Sequence, residues 1–204
     1  MSISADGFVA GPNGEIDWLF KTADASSTQW VLHNISNAGL HIMGSRTFHD
    51  MLAYWPTSSH PLSAPMNEVP KAVFSKKGNL ETTTGLTTRA LKDARQQDAK
   101  EGISAKEKAN LDTWTDAAVY TDLVNDIKKL KEQSGNYILA HGGASFAQAL
   151  VATGLIDEFR LVIHPVILGK GLPLFSAVPA PFYLKLQSST ALPTGIIANI
   201  YTPV

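Results

Sequence analysis

Two stretches of this 204-residue chain share one chemical design: "YILAHGGASFAQ" at 137–148 and "LHIMGSRTF" at 40–48. In each, a short apolar run hands over to glycine and then to the start of a helix. The first turn of a helix carries backbone N–H groups without intrahelical partners, and the helix dipole adds partial positive charge there. Glycine removes the Cβ that would hold a ligand away from that backbone, so the pattern suits a phosphate. Gly142, Gly143, Ala144 and Ser145 make one such terminus. Gly44, Arg46 and Thr47 make the other and add a guanidinium and a hydroxyl. Taken alone, Gly142-Gly143 serves a tight structural turn at least as well, because the stretch is neither GxGxxG nor a P-loop. Gly44 alone is equally a turn, and Arg46 a solvated arginine. Two such termini in one sheet can face each other at a switch point, where they suit a pyrophosphate better than a single phosphate.

A third cluster, "VFSKKG" at 73–78, places a hydroxyl and two lysines at the end of an apolar run. Ser75 and Lys76 could hold a further phosphate, such as the 2′-phosphate that separates NADP from NAD. Lys-Lys-Gly is also ordinary turn chemistry at a strand exit. The six histidines (33, 41, 49, 60, 141, 164) form no HxH or HxxxH pair, and no cysteine is present. Neither a metal site nor a thiolate nucleophile is expected. His141, beside the glycines, could touch a bound ligand there, although a packed ring is the simpler reading.

The elements that must position these groups alternate along the chain. "SIS" and "FVA" are strand pieces on either side of a turn at Asp6-Gly7, and "GPNGE" is a loop. "DASSTQWVLHNISNAG" reads as a helix capped by Ser26 or Ser27, with Trp30, Val31, Asn34 and Ile35 on one face and Gly39 at the C′ position. A short strand "LHIMG" leads into a helix from Ser45, where Thr47 and Asp50 have capping-box spacing. "KAVFS" and "AAVYT" are strands. Between them, residues 79–112 are polar and highly charged, with one helix expected from Thr88 to Lys100 and ended by Gly102; a solvated arm is the simplest reading. Leu123, Ile127 and Leu130 mark an amphipathic helix. Then follow the strand into Gly142-Gly143, the helix "ASFAQALVATG", a strand to Pro165, and two further strands, "FYLKLQSS" and "GIIANIYTPV". This order predicts a single α/β domain over 1–204, a three-layer sandwich whose mixed sheet is mostly parallel with antiparallel strands at the C-terminal edge.

Composition narrows the function. Apolar residues make up 44% of the chain, charged ones 17%, and the formal net charge is −1. Nothing electrostatic points to nucleic acid or an anionic membrane. No apolar run approaches the roughly 20 residues that span a bilayer, and the N-terminus lacks a signal-peptide pattern. A soluble protein of the cytoplasm is expected.

Three segments, "SADGFVAGPNGEIDW", "MGSRTF" and "GGASFAQALVATGLIDEFRLVIHPVILGKGLPLF", resemble the dihydrofolate reductase-like superfamily. Within it, the chain is similar to the reductase domain of riboflavin biosynthesis and its stand-alone relatives. The resemblance implies NADPH as cofactor, with Gly44, Arg46 and Thr47 at its phosphates. Ser75 and Lys76 would lie near the 2′-phosphate, and Gly142 to Ser145 under the pyrophosphate. It also implies a cis peptide between the paired glycines, and a structural place for Asp157-Glu158. On the substrate side, it puts Asp17 and Trp18 beside a mobile loop. Trp18 could stack on a planar heterocycle or be a core aromatic, and Asp17, Glu15 or Asp24 could bond its ring nitrogens or relay a proton, or be solvated loop acids. The second helix offers Gln29, Trp30 and Asn34 where a dihydrofolate reductase carries its acid, so folate is not the expected substrate. The implied activity is NADPH-dependent reduction of a small heterocycle or carbonyl compound, of the 5-amino-6-ribosylamino-pyrimidine type. A homodimer formed through the C-terminal sheet edge is also expected. The rival reading is a non-catalytic nucleotide-binding or sensor module that keeps the cofactor cleft.

Overall fold

The computed structural model of the chain describes residues 1–80, 88–103, 105 and 111–204. The strands form two four-stranded sheets and one short ribbon. In the first sheet, β3 (Leu40–Gly44) lies between β4 (Lys71–Phe74) and β6 (Ile138–Ala140), and β5 (Ala118–Tyr120) borders β4, all parallel. In the second, β1 (Ser2–Ser4) runs parallel to β7 (Phe159–His164). Next to β7 come the antiparallel strands β10 (Ile197–Pro203) and β9 (Leu184–Ala191). β2 (Phe8–Ala10) pairs with β8 (Leu172–Pro173). The mixed character and the antiparallel C-terminal edge are those expected; the sheet is divided in two, since β1 and β6 share no ladder among the described residues.

Strand alternation sorts the core into two layers. Met43 and Val73 point to one face. There they pack on Ile35 of α2 (Ala25–Ser36), Phe48 of α3 (Ser45–Tyr54), Met66 of α4 (Ser63–Glu68) and Trp114 of α6 (Asp112–Thr115). Ile42 and Ala72 point to the other, against Ile127 of α7 (Leu123–Lys131) and Phe146 and Leu150 of α8 (Ala144–Ala152). α8 also presents Ala147 and Val151 to Ile3, Phe159 and Leu161 of the second sheet. One helix thus covers both sheets and joins them into one body.

Local signals were mostly placed correctly, with instructive exceptions. The cap of α2 is Asp24, not Ser26 or Ser27. Asp24 Oδ1 accepts the Ser27 N–H at 2.8 Å, and the Ser27 hydroxyl accepts the Asp24 N–H in return. α2 ends at Ser36 with Asn37 as its C-cap, and Gly39 has a packing reason instead: a Cβ there would lie 3.0 Å from the Asn136 carbonyl oxygen. Thr47 and Asp50 make no capping box, because the N-cap of α3 is Gly44, with no side-chain bond. Pro165 follows directly on the last residue of β7, as a residue without an N–H donor must in a ladder. Among the described residues, no helix is long and apolar enough to cross a membrane.

Candidate functional site

The C-terminal ends of β3, β4 and β6 open into one cleft of about 1990 Å³. Ligand pockets are commonly about 300–1,000 Å³, so this one has room for more than a single small molecule. Gly44, Arg46, Thr47, Ser75, Lys76 and Gly142 to Ser145 all line it. Three segments far apart in sequence therefore meet in one place.

The two glycine termini are interlocked. Gly44 is the N-cap of α3, and a Cβ on it would sit 3.0 Å from Phe146 Cβ, in the first turn of α8. Gly143 is the N-cap of α8, and a Cβ on it would sit 3.0 Å from Thr47 Oγ1, in the first turn of α3. Each helix start rests on the other through a glycine. Neither has a side-chain cap, so the first-turn N–H groups of both helices are left to the cleft. The Gly142-Gly143 peptide is cis, as the resemblance implied. Behind it, His141 packs edge-on against His41, ring centroids 4.6 Å apart. Desolvation lowers both rings, His41 to about 4 and His141 well below its ordinary value. They are neutral packing groups.

The β4 exit is less simple than its sequence. Ser75 is buried, its N–H donates to the Tyr120 carbonyl at 2.9 Å, and its hydroxyl donates to the Asn79 carbonyl at 3.0 Å. It shapes the turn that ends in Gly78, whose φ is +72°. Lys76 stands exposed at the cleft border.

The far wall of the cleft is a correction. The described part of the 79–112 segment is not a solvated arm: α5 (Arg89–Glu101) packs against α1 (Asp17–Thr22) and α3. Its cap is Thr88, whose hydroxyl accepts the Leu91 N–H at 3.2 Å, and Gly102 ends it with φ +68°. Asp93, 3% exposed, clamps it in place. One carboxylate oxygen accepts the Ile16 N–H and the other the Arg89 Nε–H, both at 2.9 Å. Tyr54 of α3 donates to Asp98 Oδ1 at 2.8 Å, and Arg95 reaches the Ala53 carbonyl at 3.3 Å. Thr88, Leu91 and Asp98 all face the cleft. The rest of the segment (81–87, 104 and 106–110) lies outside the described residues.

Asp17 and Trp18 are not in the cleft. Directly after the loop lies the helix α1, which the sequence did not announce, and a helix has two sides. Ile16, Leu19, Phe20 and Ala23 face the cleft, whereas Asp17, Trp18, Lys21 and Thr22 line a separate hollow of about 410 Å³. Trp18 is 4% exposed, meets His164 edge-on at 5.3 Å and donates its indole N–H to the Glu15 carbonyl at 3.3 Å. No ring face is left for a heterocycle. Asp17 pairs with Lys21 at 2.9 Å, and that hydrogen bond lowers its pKa. A glutamine does reach the cleft from α2, Gln29, beside Thr28 and Leu32. Asn34 instead bonds the Trp30 carbonyl and Arg160. Asp157 and Glu158 pair with Lys131 and Arg160, the structural role expected of them.

Of the acids that line the cleft (Asp24, Asp50, Asp98 and Glu101), Asp50 was read in the sequence only as a capping-box residue. The signal was its spacing: three residues beyond Thr47, it shares the cleft-facing side of α3. Burial raises its carboxyl above the ordinary aspartate range, against the opposing pull of a hydrogen bond from Thr88 and the charges of Arg46 and His49.

Comparison with known proteins agrees with this architecture. The profile of the RibD C-terminal domain family matches residues 1–198. The uncharacterized Bacillus subtilis protein YyaP is 28% identical over 201 residues, which cover 98% of this chain and 91% of YyaP. A structure described as a riboflavin biosynthesis protein from Shewanella sp. PV-4 superposes with a TM-score of 0.68 at 20% identity, covering 100% of this chain and 96% of that one. The dihydrofolate reductase of Enterococcus faecalis, solved with NADP(H), superposes with a TM-score of 0.53 at 11% identity, covering 99% and 92%. Likenesses at these identities show a shared dihydrofolate reductase-like fold.

Proposed function

The chain belongs to the RibD C-terminal domain family, a family of reductase type, and from that premise we propose that it is an NADPH-dependent reductase of a small heterocyclic or carbonyl compound. The observation that carries the reading is the interlocked pair of uncapped helix termini opening into one cleft. In this reading the N–H groups from Gly142 to Ser145 receive one phosphate of the dinucleotide's pyrophosphate. Those of α3, with Arg46 and Thr47, receive the other. Lys76 meets the 2′-phosphate, and Ser75 keeps the turn that presents it. Both glycines fit a ligand held against backbone, since the N-caps carry no side chain of their own.

The bound cofactor supplies hydride to an electrophilic carbon. The chain supplies the surroundings. Val9, Leu19, Phe20, Leu32 and Leu172 give the cleft an apolar wall that keeps water away from the transfer. Thr28 and Gln29 of α2 and Asp50 of α3 offer the groups that orient an acceptor. The first substrate to test is 5-amino-6-ribosylamino-pyrimidinedione 5′-phosphate, the type the family resemblance implies.

The protein also acts as a homodimer in this reading. Every residue of the edge strand β9 after Leu184 is exposed, and Tyr183, Leu186 and Ile197 leave apolar surface around it at 81%, 50% and 41% exposure. An unprotected apolar edge of that kind is a pairing surface.

The deciding experiment is calorimetric titration with NADPH and NADH, on the wild-type protein and on Lys76→Gln. Micromolar NADPH with much weaker NADH is expected, and the lysine variant should lose most of that preference. Binding of neither nucleotide by the wild type refutes the reading.

A further inference from the structure

Resting on the reductase reading above, we propose that Asp50 is the acid that protonates the reduced substrate, and that Thr88, reaching across from α5, is the residue that positions it.

The placement follows from α3. Thr47 stands within contact of Gly143, which fixes the cofactor end of the helix. Asp50 lies three residues farther on, about 4.5 Å along the axis and on the same side. It therefore borders the part of the cleft beyond the glycines, between α1, α2 and α5. The other cleft carboxylates with assigned partners are engaged in structure. Asp24 caps α2, Asp98 accepts the Tyr54 hydroxyl, and Glu101 accepts from Gln97. Asp50 borders the cleft with the Thr88 hydroxyl acting on it from α5.

Thr88 is suited to that task. Its oxygen accepts the Leu91 N–H as the cap of α5, so its single proton is left to donate to Asp50. One carboxyl oxygen is then fixed by the hydroxyl, and the other can carry a proton toward the cleft. The capping residue of α5 and the orientation of the acid become one feature, and this gives the 79–112 segment a function. The charged and titratable groups acting on Asp50 are Arg46 and His49 of its own helix; from α5 it meets the Thr88 hydroxyl.

The step balances as a two-electron reduction. The acceptor carbon of a C=N or C=O group receives hydride from NADPH, which leaves as NADP⁺, and the π pair moves to the heteroatom. That heteroatom takes the Asp50 proton: the carboxyl O–H bond breaks and an N–H or O–H bond forms. A proton from bulk solvent, carried as hydronium to the cleft mouth, then reprotonates the carboxylate, so the net reaction consumes NADPH and one H⁺. Since burial favours the neutral form of Asp50, the acid is ready at a higher pH than an exposed aspartate would be.

Two measurements test this. In the first, protein labelled with ¹³C at aspartate carboxyls is titrated by NMR with and without NADP⁺, Asp50→Asn serving to identify the resonance. Asp50 should titrate above the ordinary value of about 3.9. Thr88→Val should raise it further, because the hydroxyl bond favours the charged form. Titration of Asp50 at or below the ordinary value in both states overturns the proposal, whatever the acceptor. In the second, NADPH-dependent reduction of 5-amino-6-ribosylamino-pyrimidinedione 5′-phosphate is followed across pH. Asp50→Asn should lower kcat by about 10²-fold or more, keep NADPH affinity within twofold and lose the fall in rate at high pH. Thr88→Val should move that fall to higher pH. An Asp50→Asn enzyme with kcat within twofold of wild type overturns the assignment. A wild-type protein that binds no NADPH refutes the reductase reading instead, and calorimetry separates that case from the others.

Discussion

Gly143→Val is the sharpest test of whether the glycine pair exists for a ligand or only for a turn. Gly143 has φ −76° and ψ 174°, an extended conformation that valine adopts without strain. Its new Cβ would meet Thr47 Oγ1 at 3.0 Å, a few tenths of an ångström too close, and that hydroxyl can rotate. Overpacking of this kind costs about 1–3 kcal/mol, a few degrees in Tm per kcal/mol for a chain of this size. The fold should survive. The cofactor should not tolerate it, because the branched side chain stands where the pyrophosphate would reach the first-turn N–H groups of α8. Losing two bonds to a charged phosphate, at about 1.5 kcal/mol each, removes about 3 kcal/mol, more than a hundredfold in Kd. Calorimetric titration with NADPH and a thermal melt on the same sample read the two effects separately. Adding Thr47→Ala relieves the protein contact, so the double variant should regain Tm without regaining affinity. A Gly143→Val protein with wild-type Tm and an NADPH Kd within twofold of wild type would refute the reasoning.

Two further outcomes follow from other parts of the molecule. Folded His41 and His164 both titrate near 4, and Lys71 near 7, all lowered by desolvation. Over pH 6.5 to 4 the unfolded chain binds protons that the folded histidines refuse, so stability should fall as pH falls through that window; from pH 7 to about 10 it should rise, because the unfolded chain still holds the Lys71 proton that the folded chain has released. Urea denaturation at pH 4.5, 6.5 and 8.5 measures this, and Lys71→Met should flatten the rise above pH 7; a stability that is flat or higher at pH 4.5 contradicts the sign. At the sheet edge, sedimentation should find the wild-type protein at twice 21.9 kDa and Leu186→Glu nearer one chain mass, whereas a monomeric wild type rules out the β9 interface.

Much of the fold was legible because period and punctuation agreed. Leu123, Ile127 and Leu130 mark the buried side of α7; Ile127 and Leu130 are indeed its buried residues. The strand–glycine–helix junctions at Gly44 and Gly143 stand where they were read. α1 was missed for a physical reason. Six residues, Asp17–Thr22, offer too few turns for an apolar period, no side chain caps the helix, and the preceding Gly/Pro/Asn run reads as loop. That miss cost the substrate side, because a helix divides neighbouring residues between opposite faces. Trp18 and Leu19 are consecutive, yet one packs on His164 and the other lines the cleft.

α5 was visible as a helix but not as a wall. Its thin apolar stripe argued for solvent, and the stripe is indeed thin, with Leu91 as its one buried apolar residue. What docks α5 is polar: the buried Asp93 clamping Ile16 and Arg89, and the Tyr54–Asp98 bond. Hydrophobic periodicity does not register such attachments, because a carboxylate that will be buried and paired looks the same in a sequence as one that will be solvated. The chemistry of the cleft follows the same division. In the proposed reading, phosphates meet backbone N–H groups, which glycine spacing announces. The side chains proposed for the acceptor come together from α2, α3 and α5 by packing alone, and Asp50 could be placed at the cleft only once the face of α3 was known.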